Sequence, residues 1–458
     1  MRRPREAGCA PTRIPGGQTR ALARRPLRSG SPPDALPSAA VKPTRRELLQ
    51  LFGASAVAWS VGCSDAEPAT ATAALDPDED SVVIAVWSGS GARAAAIEVR
   101  TDGILVTDAQ VALTDGIGSA LVTGLAPDTS YEIAVALAGA VVATHRVRTA
   151  PSADDPRPVR IAIGADCDPN PAFASGLLDA IAAASPQLLI TIGDFPYTDN
   201  GPPAHSVAEY RERHAELRRH PPVRAMLETA GLYAIYDDHE FVNDWDADAV
   251  AREPDRHAAA LQVWDEFFPL RTPAVDIRYR SWRWGAHLEC FLLDCRHFRS
   301  ANAAPDDAAK TMLGGDQHRW LIDGLTRSTA TFKLVLTSVP LDFGRGDDHW
   351  ASFTTERDAL FAALVGIPGV LFVSGDQHWF AAHRHAFGIR EFQIGPLARG
   401  LGMPLGAPPG VLFRAVRYNA GVIEIDGDQL TLLALGADGE VFYRETLTAA
   451  DLTPAARA

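Results

Sequence analysis

Three segments far apart in this chain place metal-ligating side chains directly after an apolar, strand-like run. Leu188–Ile192 leads into Gly193-Asp194-Phe195-Pro196-Tyr197. Residues 231–236 lead into Asp237-Asp238-His239-Glu240-Phe241-Val242-Asn243, and Val370–Ser374 leads into Gly375-Asp376-Gln377-His378. Carboxylates and amide oxygens suit hard cations, and imidazole suits borderline ones. Open α/β sheets bind their ligands at the carboxyl edge of the strands, where these residues stand. One such segment would say little; three of them point to a two-metal hydrolase. No glycine-rich phosphate-binding loop is present, and no Ser or Cys stands in a nucleophile motif.

The order of the segments resembles the calcineurin-like metallophosphoesterases and, within them, the PhoD-like alkaline phosphatase/phosphodiesterase family. The quoted residues match that family's GD-x-x-Y, DDHE-x-x-N and SGD-x-H signatures. Leu293-Asp294-Cys295-Arg296 resembles its LD-x-R. Residues 312–321 resemble its MLG-x-x-Q-x-x-WL, and Glu356-Arg357-Asp358 its ERD. The resemblance spans roughly residues 80–445 and implies an α/β protein with a four-layer α/β/β/α sandwich.

It further implies a centre of iron (Fe3+) and calcium (Ca2+). Cys167 and Tyr197 would be thiolate and phenolate ligands of the iron, with His378 beside them, and Asp194 would bridge the two ions. Asp238, Asn243 and Asp376 would serve the second ion; an Asp at 376, where most calcineurin-like enzymes carry His, favours calcium. His239 would act on the leaving group, as general acid or positive partner. Arg296 either forks onto a phosphate or braces the site through Asp294. His383 and His385 read as outlying residues. Asp166 departs from the Ser usual before this Cys and stands as an extra ligand or as an acceptor behind one.

The implied reaction is hydrolysis of a small phosphate mono- or diester by a hydroxide bridging two metals. Two rival readings stay open: a related two-metal hydrolase with another ester as substrate, and a non-catalytic surface binding protein.

At 458 residues the chain exceeds one ordinary domain. The 47% apolar and 22% charged content is that of a globular protein. A net charge of −14 argues against nucleic-acid binding, because no basic surplus meets a phosphate backbone. Residues 1–63 combine an Arg/Pro-rich extension with Arg45-Arg46 ahead of a short apolar run, the pattern of a twin-arginine export signal. Ser60-Val61-Gly62-Cys63 resembles a lipobox, so a lipid anchor at Cys63 would be the membrane link. A monomer at the periplasm or cell surface is expected.

Residues 64–79 read as a tether. Short alternating runs over 80–150 read as a β-sandwich, and Leu125-x-Pro127-x-Thr129-x-Tyr131 resembles a fibronectin type III turn with Tyr131 at a tyrosine corner. The metallophosphatase domain is expected over 157–447. There, helices are predicted over 173–184, 206–219, 261–268, 320–327 and 356–365, with hairpins at 281–293 and in the tail. Five Cys show neither zinc-cluster nor disulfide spacing.

Overall fold

The computed structural model describes residues 70–168, 176–274 and 276–456. The export signal, Cys63 and the start of the tether lie outside the described residues. Among the described residues no helix is long and apolar enough to cross a membrane.

Among the described residues twenty strands, numbered in chain order, form three sheets. The first has nine strands: β1 (Thr70–Leu75), β2 (Ser81–Ser88), β5 (Ile117–Thr123), β8 (Val159–Gly164), β9 (Leu188–Ile192), β10 (Gly231–Ile235), β18 (Ala420–Asp426), β19 (Gln429–Leu435) and β20 (Val441–Thr448), in the order β20-β19-β18-β8-β9-β10-β1-β2-β5. The second has seven: β11 (Arg280–Trp284), β12 (Leu288–Leu292), β13 (Phe332–Thr337), β14 (Val370–Ser374), β15 (Phe380–Arg384), β16 (Arg390–Gln393) and β17 (Val411–Ala415), in the order β11-β12-β13-β14-β16-β15-β17. The third holds β3 (Ala94–Thr101), β4 (Ile104–Ala112), β6 (Ser130–Leu137) and β7 (Ala140–Arg148), ordered β4-β3-β6-β7.

Strand alternation builds the layers. In β9, Leu188, Ile190 and Ile192 face the second sheet, joining Leu334, Leu336, Leu371 and Val373 in one apolar core. Leu189 points the other way, into a core with Leu177, Ile181, Tyr210, Leu217 and Trp264 from the helices. The outer face of the second sheet is covered likewise, with Phe291, Val335 and Phe372 under Leu321, Leu325 and Leu360. Strands buried on both faces carry unbroken apolar runs, as these do. Each fully buried Leu or Ile contributes about 1.5–3 kcal/mol. The result is the expected α/β/β/α sandwich.

Between residues 64 and 79 the expected tether gives way, from Thr70 on, to strand β1. Its end pairs in parallel with β10 at Leu75↔Leu232, and it runs antiparallel to β2 over its whole length. Ala73 and Leu75 face the helical core of the large domain, whereas Ala74, Val82, Ile84 and Val86 face Ile97, Val99, Ile133 and Val135 of the third sheet. The all-β sandwich therefore shares its β1-β2-β5 sheet with the large domain. Small Ala and Thr side chains hid the strand; alternate burial reveals it. Tyr131 is buried, and its hydroxyl accepts the Ala126 N–H at 2.8 Å, a tyrosine-corner contact.

The helices that flank the site also exceed their predicted lengths. The helix expected over 261–268 spans Pro254–Phe267, because Pro254 at its first position is preorganised for a helix start. That expected over 320–327 begins at Gly314. Val207–Arg219 begins where predicted, fixed by a capping box between Ser206 and Glu209.

Candidate metal centre

The parallel strands β8, β9 and β10 pair in register, so their carboxyl ends release residues 166, 194 and 237–240 side by side. From the facing sheet β14 delivers Asp376 and His378. The turns are unusual: Asp166, Asp194, Asp376 and His378 all have positive φ, of 60°, 56°, 73° and 62°. Non-glycine residues seldom sit there, and such strain clusters at functional sites. Two glycines make room for it. A Cβ on Gly193 would strike Asp237, and one on Gly395 would strike the Asp166 carboxylate.

Four adjoining clusters of ligand atoms result, each with its atoms within 4.8 Å of one another: Asp166, Asp194 and His378; Asp194, Asp238 and His239; Asp237, Asp238 and Asp376; and Asp238, Asp244 and Asp348. Asp194 and Asp238 link them into one run. Tyr197 joins the first, its hydroxyl 2.9 Å from His378 Nε2. The other His378 nitrogen, Nδ1, lies 2.6 Å from the Gly400 carbonyl, which orients the ring. His239 Nδ1 lies 2.7 Å from Asp199 Oδ1, and its ring packs on Tyr197 at 4.2 Å. Arg399 lies over the Tyr197 ring at 4.5 Å.

The electrostatics are those of an acid cluster lacking its counter-charge. Both oxygens of Asp166, Oδ2 of Asp194, Oδ2 of Asp237 and Oδ1 of Asp238 are buried without a hydrogen-bond partner. Buried polar atoms are nearly always paired, so such a group of orphaned carboxylate oxygens fits bound cations. Burial, then the neighbouring carboxylates, raises Asp166, Asp194 and Asp376 well above the usual range. Burial pushes Glu240 up to about 8, although it accepts the backbone N–H groups of Phe195 and Asp237. Burial also lowers His378 to about 4, keeping it neutral and able to ligate. Burial works against a charged His239, but Asp238 and Asp199 outweigh it and hold the ring at about 9.

Of the residues predicted from sequence, Asp194, Tyr197, Asp238, His239, Asp376 and His378 converge. Three do not stand where expected. Cys167 joins none of the clusters among the described residues: its side chain packs in the apolar core on the helix side of the first sheet. The left-handed turn at Asp166 turns that carboxylate toward Asp194 and His378 instead, 3.9 Å from His378 Nε2. Asn243 is exposed at the rim, tied by its backbone N–H to Asp199 Oδ2 at 2.9 Å.

Arg296 is fully buried and braces the site rather than facing a substrate. Its donors go to Asp237 Oδ1 at 2.6 Å, the Trp245 carbonyl at 3.2 Å and both oxygens of Asp348 at 2.8 and 2.6 Å. The partner expected for it, Asp294, accepts the Arg296 backbone N–H at 3.0 Å and the Tyr236 hydroxyl at 2.5 Å, while the guanidinium goes elsewhere. Asp199, Asp244 and Asp348 were not singled out in the sequence. Asp348 had a signal: Asp347-Asp348-His349-Trp350 repeats the Asp-Asp-His pattern of 237–239.

Comparison with known proteins agrees with this architecture. The model of the PhoD-like phosphatase family matches residues 172–400, half of the chain. Alkaline phosphatase D of Bacillus subtilis (strain 168) is 26% identical over 214 residues, which make up 40% of this chain and 36% of that protein. The chain thus spans little more than a third of that relative's length. A PhoD structure superposes with a TM-score of 0.73 at 19% identity, covering 85% of this chain and 90% of that one. A purple acid phosphatase from yellow lupin (Lupinus luteus) seeds gives 0.64 at 12% identity, covering 84% and 76%. Both share its fold. With a family model covering half its length and a PhoD structure matching its layers, the chain belongs to the PhoD-like phosphatase family.

Proposed function

We propose that this protein is an exported, metal-dependent phosphoesterase acting on small phosphate mono- or diesters. The observation that carries the reading is the run of orphaned, buried carboxylate oxygens from Asp166 through Asp194 to Asp238 at the shared edge of two sheets. Asp166, Asp194, Tyr197 and His378 offer mixed oxygen and nitrogen donors suited to iron. Asp237, Asp238, Asp244 and Asp376 offer oxygen alone, the set calcium takes. Asp194, common to the first two clusters, would serve both ions. When bound, the ions would supply Lewis acidity toward phosphoryl oxygens and activate a water for in-line attack.

The chain's own groups do the rest. His239 has Nδ1 committed to Asp199, which leaves Nε2 to face the departing alkoxide and pass it a proton. Arg296 and Glu240 hold the loop after β10 in place through Asp237 and Phe195. Arg399 lies on Tyr197 at the mouth of the site.

Hydrolysis of a nitrophenyl phosphodiester and monoester, measured beside Asp194→Asn with chelator and with calcium restored, tests the proposal. Activity should fall with the substitution and with chelator and return with calcium. Equal rates for wild type and variant would sink it. Export by the twin-arginine route is part of the same reading, supported by Arg45-Arg46 and the apolar run after them. Replacing both arginines by Lys should keep the protein in the cytoplasm. Labelled palmitate should enter wild type and not Cys63→Ala.

A further inference from the structure

The hairpin of β15 and β16 carries a second set of metal-ligand side chains, on one face and apart from those above. His383 lies on β15, and His385, the first residue after that strand ends at Arg384, stacks its ring on His383. His383 pairs across the ladder with Glu391, which places the carboxylate on the same face as His383. The ligand atoms of His383, His385 and Glu391 lie within 4.8 Å of one another. Glu391 is fully buried and His383 1% exposed. His385 Nε2 sits 2.7 Å from Glu391 Oε2. The two imidazole rings stack at 5.2 Å and 9°.

Hydrogen bonding leaves this cluster incomplete. Glu391 Oε1 is committed, accepting the Ser374 hydroxyl at 2.5 Å and the Leu341 N–H at 2.9 Å, which aims the other oxygen at the histidines. His383 Nε2 is buried and makes no well-formed hydrogen bond, with the Gln393 side chain its polar neighbour. An unpaired buried ring nitrogen costs about 1–3 kcal/mol, and here, unlike an isolated core histidine, it lies beside a second imidazole and a buried carboxylate. Among the described residues no Lys or Arg pairs with this carboxylate: Arg390, next to Glu391, pairs with Glu445 instead.

We propose that His383, His385 and Glu391 form a second, structural metal site for a borderline divalent ion of the zinc class. Two imidazoles and one carboxylate are a zinc donor set. The aromatic rings of Phe343 and Phe361 lie against His383 and His385 at 5.5 and 5.9 Å, enclosing the cluster rather than leaving a substrate port. Through Ser374 the ion would brace the end of β14, immediately before Asp376 and His378. The site does not depend on the phosphoesterase reading.

The test is zinc content of the full-length protein, stripped and reloaded, for wild type, His383→Asn, Glu391→Gln and Asp194→Asn. Wild type and Asp194→Asn should each hold about one equivalent of zinc per chain more than their counterparts carrying His383→Asn. Cobalt loaded into Asp194→Asn should show d–d absorption that disappears with the added His383→Asn. If the hairpin variants misfold, zinc should still raise the melting temperature of Asp194→Asn, as ligand binding to the folded state requires. Equal zinc in wild type and both hairpin variants, or no effect of zinc on Asp194→Asn, would overturn the site.

Discussion

Two groups of buried acids lie back to back behind the loop after β10, and they are treated in opposite ways. On one side Asp166 and Asp194 keep oxygens with no partner. On the other, Asp348 receives two bonds from Arg296, one from Arg299 and one from Asn302. Asp237 stands between them, with Oδ1 on Arg296 and Oδ2 unpaired. Paired acids are scaffolding: their charge is already neutralised inside the protein. Unpaired ones hold their place against mutual repulsion because a cation completes them. Burial alone would not have told the two apart, since Asp166 and Asp348 are both nearly inaccessible.

The contrast breaks most visibly in activity. Asp194→Asn removes a charge shared by two clusters while keeping the shape. Losing several kcal/mol of charge stabilisation lowers kcat by on the order of 10^3. Folding stability without metal should not fall, because one of several crowded carboxylates has gone. A chelated Asp194→Asn that melts well below chelated wild type would show that its carboxylate was structural. Arg296→Met should do the reverse. It strands Asp237 and Asp348 as buried uncompensated charges, costing about 3–5 kcal/mol of stability. Chemical denaturation checks it; a loss under about 1 kcal/mol would place Arg296 with surface ion pairs.

Sequence made one of these groups legible and not the other, for a physical reason. Metal ligands at strand ends sit in short motifs after apolar runs, so Asp194, Asp238, Asp376 and His378 could be read directly. Their brace comes from distant loops, and nothing local marks Asp348 as the partner of Arg296, 52 positions away. The same distinction holds for the fold. The doubly buried strands β9, β10 and β14 announce themselves by short, mostly apolar runs. Strand β1, made of Thr and Ala, is defined by what it pairs with. The exchange of Cys167 for Asp166 was hidden for a subtler cause, because the direction of a side chain depends on φ at one residue, which spacing does not encode.

That exchange gives the next test. With Asp166 turned to the centre, Asp166→Asn should reduce metal retention and lower activity by on the order of 10^2. Cys167→Ser should leave metal content unchanged and cost stability instead, since it places a hydroxyl in an apolar core. Iron-loaded wild type should then lack absorption from thiolate-to-iron charge transfer while keeping that from the Tyr197 phenolate. A thiolate band lost in Cys167→Ser would return the ligand role to the cysteine.

The smallest effect sharpens the same lesson on a group that has no cation to wait for. His214, in the helix Val207–Arg219, is fully buried, packs on Phe267 at 5.1 Å and has neither ring nitrogen paired. Burial, then Arg218, pushes it well below its ordinary value, so the folded protein keeps it neutral. Below about pH 6.5 the unfolded chain takes up a proton there that the folded one refuses. Its contribution is therefore fully present above that pH and is lost as pH falls, by about 1.4 kcal/mol per unit until the folded ring titrates. Denaturation of wild type and His214→Phe at pH 7.5 and 5.5 measures this. The gap between the two proteins should shift in favour of the variant at the lower pH, and an unchanged gap would mean that the folded protein protonates His214 as readily as the unfolded chain does.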